Sequence, residues 1–174
     1  MSTVYNFQTI SALLACSGQP RESQLASIAD EGFKVIFNLG LTDAKYALAD
    51  EASSVKKLGL TYHHIPILFD DPQTSQLIDF IELMDRHRTE KTLVHCAANY
   101  RASAFTGLYL LSKGEFDEPT MHAFIENVWQ PDAVWEQFIE ESVVLLKGDR
   151  LIGRWFGNNC SWSSWTTCIV YPWI

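Results

Sequence analysis

The chain has 174 residues, of which 47% are apolar and 20% are charged, as expected for one soluble globular domain with its own core. Its net charge of −8 argues against a nucleic-acid-binding protein, because such a protein needs a basic face. No stretch reaches the roughly 20 apolar residues of a membrane span, and residues 1–12 lack the Lys or Arg of a signal peptide. We therefore expect a cytoplasmic protein without membrane or nucleic-acid partners.

The pattern of apolar residues predicts strands that alternate with helices along the first 146 residues. Short apolar or β-branched runs predict strands at 13–16, 33–39, 60–67 and 91–95. Apolar residues at helical spacing predict helices at 21–31, 43–58, 74–87, 102–112, 119–129 and 132–146. This alternation indicates an α/β fold, in which a mainly parallel central sheet is flanked by helices.

The composition changes after Lys147. Four of the six tryptophans fall in the last 20 residues, among Ser, Thr and Asn, and no helical or strand period continues there. We therefore divide the chain into a domain at 1–147 and an atypical Trp- and Ser-rich tail at 148–174, which we expect to lie outside the core. The alternative is that the tail forms a lid or a partner-binding segment.

The stretch with the clearest chemistry is residues 91–105, where a cysteine ends a predicted strand and an arginine opens the next helix. Ligands of parallel sheets bind beyond the carboxyl ends of strands, which is where Cys96 lies. The unpaired amides of a first helical turn favour an anion and lower the pKa of a nearby thiol. Arg101 supplies a planar cationic fork suited to an oxyanion, and the small Ala97 and Ala98 let backbone amides approach a bound group.

A lone cysteine at a strand end is most simply interpreted as a small buried hydrophobe. Here four polar or reactive side chains fall on one strand-to-helix turn, and they are His95, Cys96, Arg101 and Ser103. This grouping favours a chemical role for the cysteine.

The order His95-Cys96, then an arginine and a serine, resembles the signature loop of the cysteine-dependent protein tyrosine and dual-specificity phosphatases. That family has five residues between cysteine and arginine, whereas only four separate Cys96 from Arg101. The sequence is most similar to the bacterial DUF442 group of phosphatase-like proteins, over residues 6–146 and including the segment 17–20 (Ser-Gly-Gln-Pro). The four-residue spacing is tolerated within that group.

This resemblance implies a dual-specificity-phosphatase-like fold and hydrolysis of phosphomonoesters through a cysteinyl-phosphate, without a metal or organic cofactor. Cys96 would attack phosphorus, Arg101 and the loop amides would hold the phosphoryl oxygens, and Asp70 would act as general acid. The implied phosphate-binding residues are Ala97, Ala98, Asn99, Tyr100, Arg101 and Ser103. The implied substrate is a phosphorylated small molecule or a phosphoprotein, including one that carries phosphotyrosine.

Two aspartates in the predicted loop 68–72 compete for the role of general acid. Asp71 precedes Pro72, and this pair also fits the N-cap and first residue of the following helix. We therefore assign the acid to Asp70 and the cap to Asp71. Asn38, at the end of another predicted strand, either lines the same cleft or has a structural role.

The spacing between Cys96 and Arg101 leaves two other functions open. A loop of this length is similar to that of rhodanese-type sulfurtransferases, so Cys96 would carry a persulfide in that case. The second alternative is a catalytically inactive module that binds an anion but does not turn it over.

Overall fold

A computed structural model describes residues 4–156 of the chain. Its sheet has five strands, which are β1 (Gln8–Thr9), β2 (Leu14–Ser17), β3 (Val35–Asn38), β4 (Thr61–His64) and β5 (Thr92–His95). The spatial order is β1-β2-β5-β3-β4. Strands β2 to β5 pair in parallel and β1 is antiparallel to β2, which confirms the predicted mainly parallel sheet.

Within residues 4–156, six helices cover the sheet, and they are α1 (Glu22–Asp30), α2 (Glu51–Lys57), α3 (Thr74–Arg86), α4 (Tyr100–Lys113), α5 (Glu118–Glu126) and α6 (Ala133–Phe156). Successive strand residues point to opposite faces. Leu93 therefore packs in the cluster with α1 and α2, whereas its neighbour Val94 packs in the cluster with α3 to α6. Among the described residues, no helix has both the length and the apolar character needed to cross a membrane.

Strand β5 positions the cysteine. It lies between β2 and β3, and all four of its residues are buried. His95 is in register with Ser17 on one side and with Asn38 on the other. Cys96 therefore leaves the sheet at the carboxyl ends of three adjacent parallel strands, where α/β sheets bind their ligands.

The prediction of one helix at 43–58 is wrong in its first half. Helix α2 begins at Glu51, and no helix or strand includes residues 41–50. Asp50 is the N-cap, because its side chain accepts a hydrogen bond from the Ser53 amide at 3.1 Å. The predicted end of the helix at Gly59 is confirmed, and that glycine has a φ of +73°.

The prediction that Asp71 caps the next helix is also wrong. The N-cap of α3 is Gln73, whose backbone amide donates to the side chain of Gln76 at 3.1 Å. The side chain of Asp71 instead accepts a hydrogen bond from Gln73 Nε2 at 2.6 Å. Because the Gln73–Gln76 pair satisfies the helix end, the cap role does not fall to either aspartate.

Helix α6 continues past the predicted domain boundary at Lys147 as far as Phe156. The predicted tail spans 148–174, and its residues 157–174 lie outside the described part of the chain. The division into a domain at 1–147 and a tail therefore stays a prediction.

Candidate active site

Backbone hydrogen bonds to both neighbouring strands fix the position of Cys96. The Cys96 amide donates to the Ser17 carbonyl at 3.3 Å, on the side of β2. The carbonyl of His95 accepts from the Leu39 amide at 2.8 Å, on the side of β3. The side chain is 1% exposed, so the thiol is buried at the end of β5.

The loop after Cys96 is held through its carbonyl groups. Gln19 donates its amide to the Ala97 carbonyl at 3.1 Å, and Asn6 donates its side-chain amide to the Ala98 carbonyl at 3.1 Å. Asn99 in turn donates its side chain to the carbonyl of Asn6 at 2.7 Å. Within the described residues, the amides of Ala97 and Ala98 have no recorded acceptor. They are therefore free for an anion, as in the backbone nests of phosphate sites.

A close backbone contact explains the glycine in the Ser-Gly-Gln-Pro segment. A Cβ atom on Gly18 would lie 2.9 Å from the Ala97 carbonyl oxygen and 3.1 Å from two atoms of Tyr5. The contact of 2.9 Å with the Ala97 backbone oxygen is shorter than a Cβ atom tolerates and the contacts with Tyr5 are tight, so a residue with a Cβ would push the loop away. The segment at 17–20 thus shapes the loop that carries the cysteine.

Helix α4 begins without a side-chain cap. Asn99 occupies the N-cap position with a left-handed φ of 74°, and its side chain is turned to Asn6 rather than to the helix. The amide of Ser103 makes the first helical bond, to the Asn99 carbonyl at 2.8 Å. The amides of Tyr100, Arg101 and the next residue therefore have no partner inside the helix, which makes this end a site for an anion.

Arg101 lies in the first turn of α4 and is only 5% exposed. One guanidinium nitrogen donates to the Ile67 carbonyl at 2.6 Å, and another donates to the Tyr46 hydroxyl at 3.0 Å. No carboxylate pairs with Arg101 in the part of the chain that the structure describes. A buried cation is costly without a negative partner, so this arrangement favours a bound anion.

Cys16 is the second buried cysteine in the described chain, and it lies on β2. Burial raises the pKa of its thiol to about 12, although a hydrogen bond with Asn99 acts in the opposite direction and lowers the pKa. The charge of the nearby Cys96 raises it further. Cys16 is therefore a neutral thiol at physiological pH, so Cys96 is the candidate nucleophile among the two cysteines that the structure describes.

His95 forms a buried pair with Glu51 across the sheet. His95 Nε2 lies 2.8 Å from a carboxylate oxygen of Glu51, close enough for an ion pair although the ring N–H is not well aligned. The other carboxylate oxygen accepts hydrogen bonds from Gln19 at 3.2 Å and from Asn38 at 2.9 Å. Asn38 therefore has a structural role beneath the site, which resolves the alternative left by the sequence.

Opposing effects set the pKa of Glu51. Burial alone raises the pKa of this carboxyl group, but the hydrogen bond and charge of His95, with help from Gln19, outweigh burial and lower it. Glu51 is thus a buried carboxylate that fixes the histidine preceding the nucleophile.

Glu51→Gln is expected to lower the free energy of unfolding by about 1–3 kcal/mol at neutral pH, since His95 loses its charged partner. The lowered folded-state pKa of Glu51 means that its contribution is present above its ordinary pKa of 4.5 and is lost as pH falls through the folded-state value. Urea unfolding of both proteins should therefore show a difference that shrinks in acid.

The matched control for this variant is Glu90→Gln. Glu90 is also 2.8 Å from a histidine, His87, but its side chain is 43% exposed. An exposed pair contributes little, so this variant should change the free energy of unfolding by less than about 0.5 kcal/mol. Equal losses in the two variants would contradict the special role of the buried pair.

The predicted acid lies on a loop that contacts the cysteine loop. Asp70 is exposed at a bend between β4 and α3, and Asp71 beside it is exposed as well. Upstream of Asp70, the ring of Phe69 lies 6.4 Å from the ring of Tyr100, and the Ile67 carbonyl accepts from Arg101. The segment just before Asp70 therefore contacts both the cysteine loop and Arg101.

The remaining predicted residues lie on the first turn of α4. The hydroxyl of Ser103 donates to the Tyr100 carbonyl at 3.0 Å, and the Ser103 side chain is buried. Tyr100 is half-buried and its ring stacks on that of Trp129 at a centroid distance of 4.7 Å. Tyr100 therefore covers the flank of the loop.

The histidines of β4 make contacts away from the cysteine. His63 Nε2 lies 2.8 Å from His87 Nε2, and its ring stacks on Phe37. His64 lies 2.9 Å from the Gly40 carbonyl. In residues 4–156, no group of three or more His, Cys, Asp or Glu side chains is arranged to hold a metal ion.

Tyr46, Glu51 and Trp135 are three residues of the site region that the sequence did not indicate. Tyr46 lies in a stretch with helical composition, and its contact with Arg101 spans 55 positions. Trp135 donates to the Phe69 carbonyl from 66 positions away. No spacing rule connects residues so far apart, and Glu51 lies in the first turn of α2, distant in sequence from the strand end that it contacts.

Comparison with known proteins gives structural relatives. No family model matches the sequence, and no curated protein matches it. A crystal structure of a candidate phosphatase of the DUF442 family from Shewanella putrefaciens CN-32 is 31% identical, with a TM-score of 0.77 over 83% of this chain and 95% of its own. A second structure of that protein is 30% identical, with a TM-score of 0.75 over 85% of this chain and 92% of its own.

More distant structures share the fold. PTPMT1 in complex with PI(5)P is 12% identical, with a TM-score of 0.71 over 83% of this chain and 98% of its own. Tk-PTP in its active form is 22% identical, with a TM-score of 0.66 over 82% of this chain and 97% of its own. The predicted dual-specificity-phosphatase-like fold is therefore confirmed. Because this protein shares the fold of the Shewanella putrefaciens structure and is 31% identical to it over most of both chains, it belongs to the DUF442 family.

Proposed function

We propose that this protein hydrolyses phosphomonoesters by nucleophilic attack of Cys96 on phosphorus. The observation that carries the proposal is the buried Arg101, which has no carboxylate partner among the described residues and stands at the uncapped start of α4, five positions after Cys96. A thiolate and an oxyanion site side by side are the parts that phosphoryl transfer to sulfur requires. The relative described as a candidate phosphatase of the same family supports this function.

The reaction has two steps. In the first, the Cys96 thiolate forms an S–P bond while the P–O ester bond breaks, and Asp70 donates its proton to the leaving oxygen. In the second, Asp70 accepts a proton from water as the water attacks phosphorus, the S–P bond breaks, and inorganic phosphate and the thiolate are released. No electron transfer and no cofactor enter either step.

The phosphoryl oxygens would be held by the amides of the loop and by Arg101. Tyr46 adds a donor to this set, since its hydroxyl accepts hydrogen bonds from Arg101 and from the Leu41 amide, both at 3.0 Å. A hydroxyl that accepts two bonds still has its own proton to donate. We assign this proton to a phosphoryl oxygen that Arg101 also binds.

The substrate class follows from the same features. The site needs only a phosphate monoester, so a phosphorylated small molecule or a phosphoprotein, including one with phosphotyrosine, would serve. The net charge of −8 disfavours a polyanionic substrate, because attraction is then limited to the local positive charge of Arg101 and the helix.

The second candidate function is sulfur transfer. Its support is the four-residue spacing between Cys96 and Arg101, since a persulfide needs only amides that point at one sulfur. The proposed acid at Asp70 has no evident task in that chemistry, and for this reason phosphate ester hydrolysis is the better-supported function.

Alkylation of Cys96 separates the two chemistries. We expect vanadate or phosphate to slow modification of Cys96 by iodoacetamide, because the anion occupies the loop in front of the thiolate. Cys16 is the internal control, since a thiol with a pKa of about 12 should stay unmodified with or without the anion. Peptide mass spectrometry measures both residues in one sample.

The sulfurtransferase outcome is distinct in the same assay. Thiosulfate would leave one extra sulfur atom on Cys96, and vanadate would give no protection. If neither anion protects Cys96 and neither product forms, the protein is an inactive module and the proposed function is wrong.

A further inference from the structure

The loop that carries the proposed acid is tied to the body of the protein at two carbonyl groups. Arg101 donates to the carbonyl of Ile67 at 2.6 Å, and the indole N–H of Trp135 donates to the carbonyl of Phe69 at 2.8 Å. After the buried Ile67, the side chains of Leu68 and Phe69 are 49% and 38% exposed, and the Phe69 ring rests against the rings of Trp129 and Trp135. The two carbonyl hydrogen bonds therefore supplement a partial burial of the loop's side chains.

The second of these bonds acts on the acid directly. The carbonyl of Phe69 belongs to the peptide unit that joins Phe69 to Asp70, so a donor to this oxygen fixes the orientation of the plane from which Asp70 projects. Asp70 itself is exposed. Without the bond, the peptide plane would be free to rotate and the carboxyl group would sample many directions.

Trp135 is a rigid donor. It lies in the first turn of α6, where its own amide donates to the capping side chain of Asp132 at 3.1 Å. Its ring is fully buried, with Phe138 at 5.4 Å and Phe105 at 6.3 Å between ring centroids. A buried indole needs a partner for its N–H, and here that partner is the acid loop.

We propose that Trp135 is a positioning residue for general acid catalysis, which acts by holding the Phe69–Asp70 peptide so that Asp70 faces the leaving oxygen. This inference rests on the proposed function, in which Asp70 is the acid. It assigns to the indole N–H a task separate from the packing of the ring. Removing the N–H should therefore lower the rate more for a poor leaving group than for a good one. A loss of packing alone would lower both rates to a similar extent.

Trp129 provides a matched control in the same aromatic cluster. Its ring lies 5.7 Å from that of Phe69, and the ring of Trp135 lies 5.6 Å from it. The indole N–H of Trp129, however, has no hydrogen-bond partner in the described part of the chain. Trp129→Phe and Trp135→Phe therefore remove the same atoms, and only the second removes a bond to the acid loop.

The experiment measures kcat/KM, which reports the first step, for phenyl phosphate with its poor leaving group and for p-nitrophenyl phosphate with its good one, in full-length variants. Trp135→Phe is expected to lower kcat/KM on phenyl phosphate about 3- to 10-fold, as for one lost hydrogen bond, and on p-nitrophenyl phosphate less than about twofold. Trp129→Phe should change neither value by more than about twofold. Asp70→Asn is measured beside them, and its selective loss should exceed that of Trp135→Phe.

Each other outcome has a defined meaning. If Asp70→Asn is selective but Trp135→Phe matches Trp129→Phe, this inference is wrong and the proposed function stands. Equal loss on both substrates in Trp135→Phe would make the residue merely structural and would also overturn it. If Asp70→Asn shows no selective loss, the assignment of the acid fails and this inference fails with it. Should Trp135→Phe not fold, benzothienylalanine at position 135 replaces the N–H with sulfur at nearly constant shape and decides the same comparison.

Discussion

Replacing Cys96 with serine is expected to reduce hydrolysis of p-nitrophenyl phosphate by about 10⁴- to 10⁶-fold, the scale of losing a nucleophile. A serine hydroxyl at this position is a far weaker nucleophile than the cysteine sulfur unless a base activates it. The variant should still fold, because serine is close in size to the buried cysteine it replaces. Circular dichroism and the thermal midpoint check the fold, and steady-state kinetics measure the loss.

Cys16→Ser is the matched control, since Cys16 is also fully buried at the end of a strand next to the site. Its thiol has a pKa of about 12 and takes no part in the proposed reaction, so this variant should keep most of the activity. Wild-type turnover in Cys96→Ser would show that another residue is the nucleophile.

Asp70→Asn is expected to lower kcat/KM on phenyl phosphate by about 10²- to 10⁴-fold, the usual contribution of a general acid. The loss in kcat/KM on p-nitrophenyl phosphate should be far smaller, because kcat/KM reports the first step and nitrophenolate leaves without a proton. The same two substrates and steady-state kinetics measure both effects.

Asp71→Asn is the control for position on the loop. Asp71 is exposed like Asp70, but its side chain is bound by Gln73 Nε2 at 2.6 Å, which directs it toward α3. It should therefore retain activity on both substrates. A selective loss in Asp71→Asn with none in Asp70→Asn would move the acid by one residue.

The sequence was informative where chemistry and pattern are local. The apolar run before His95 predicts a buried strand, and the helix at 102–112 agrees with α4, which starts two residues earlier. Cys96 and Arg101 were identifiable because the six consecutive positions 96–101 carry the whole candidate anion-binding loop. Their geometry depends on one strand, one turn and one helix end, and each of these elements can be predicted from residues adjacent in the sequence.

Contacts between distant segments could not be predicted in this way. Helix formers such as Ala44, Lys45 and Leu48 indicate a helix, yet the segment stays irregular and presents Tyr46 to Arg101. Tertiary contacts there outweigh intrinsic propensity. The pairing of Glu51 with His95 arises in the same manner, because sheet order rather than sequence brings α2 beside β5.

The central claim is that Cys96 carries the phosphoryl group during turnover, and rapid acid quenching tests it most directly. In Asp70→Asn with p-nitrophenyl phosphate, the first step needs no acid whereas the second lacks its base, so the covalent intermediate should accumulate. Peptide mass spectrometry of the quenched protein is predicted to show one phosphoryl group on Cys96, formed together with a burst of nitrophenol. Release of nitrophenol and phosphate with Cys96 unmodified at every quench time would contradict the account.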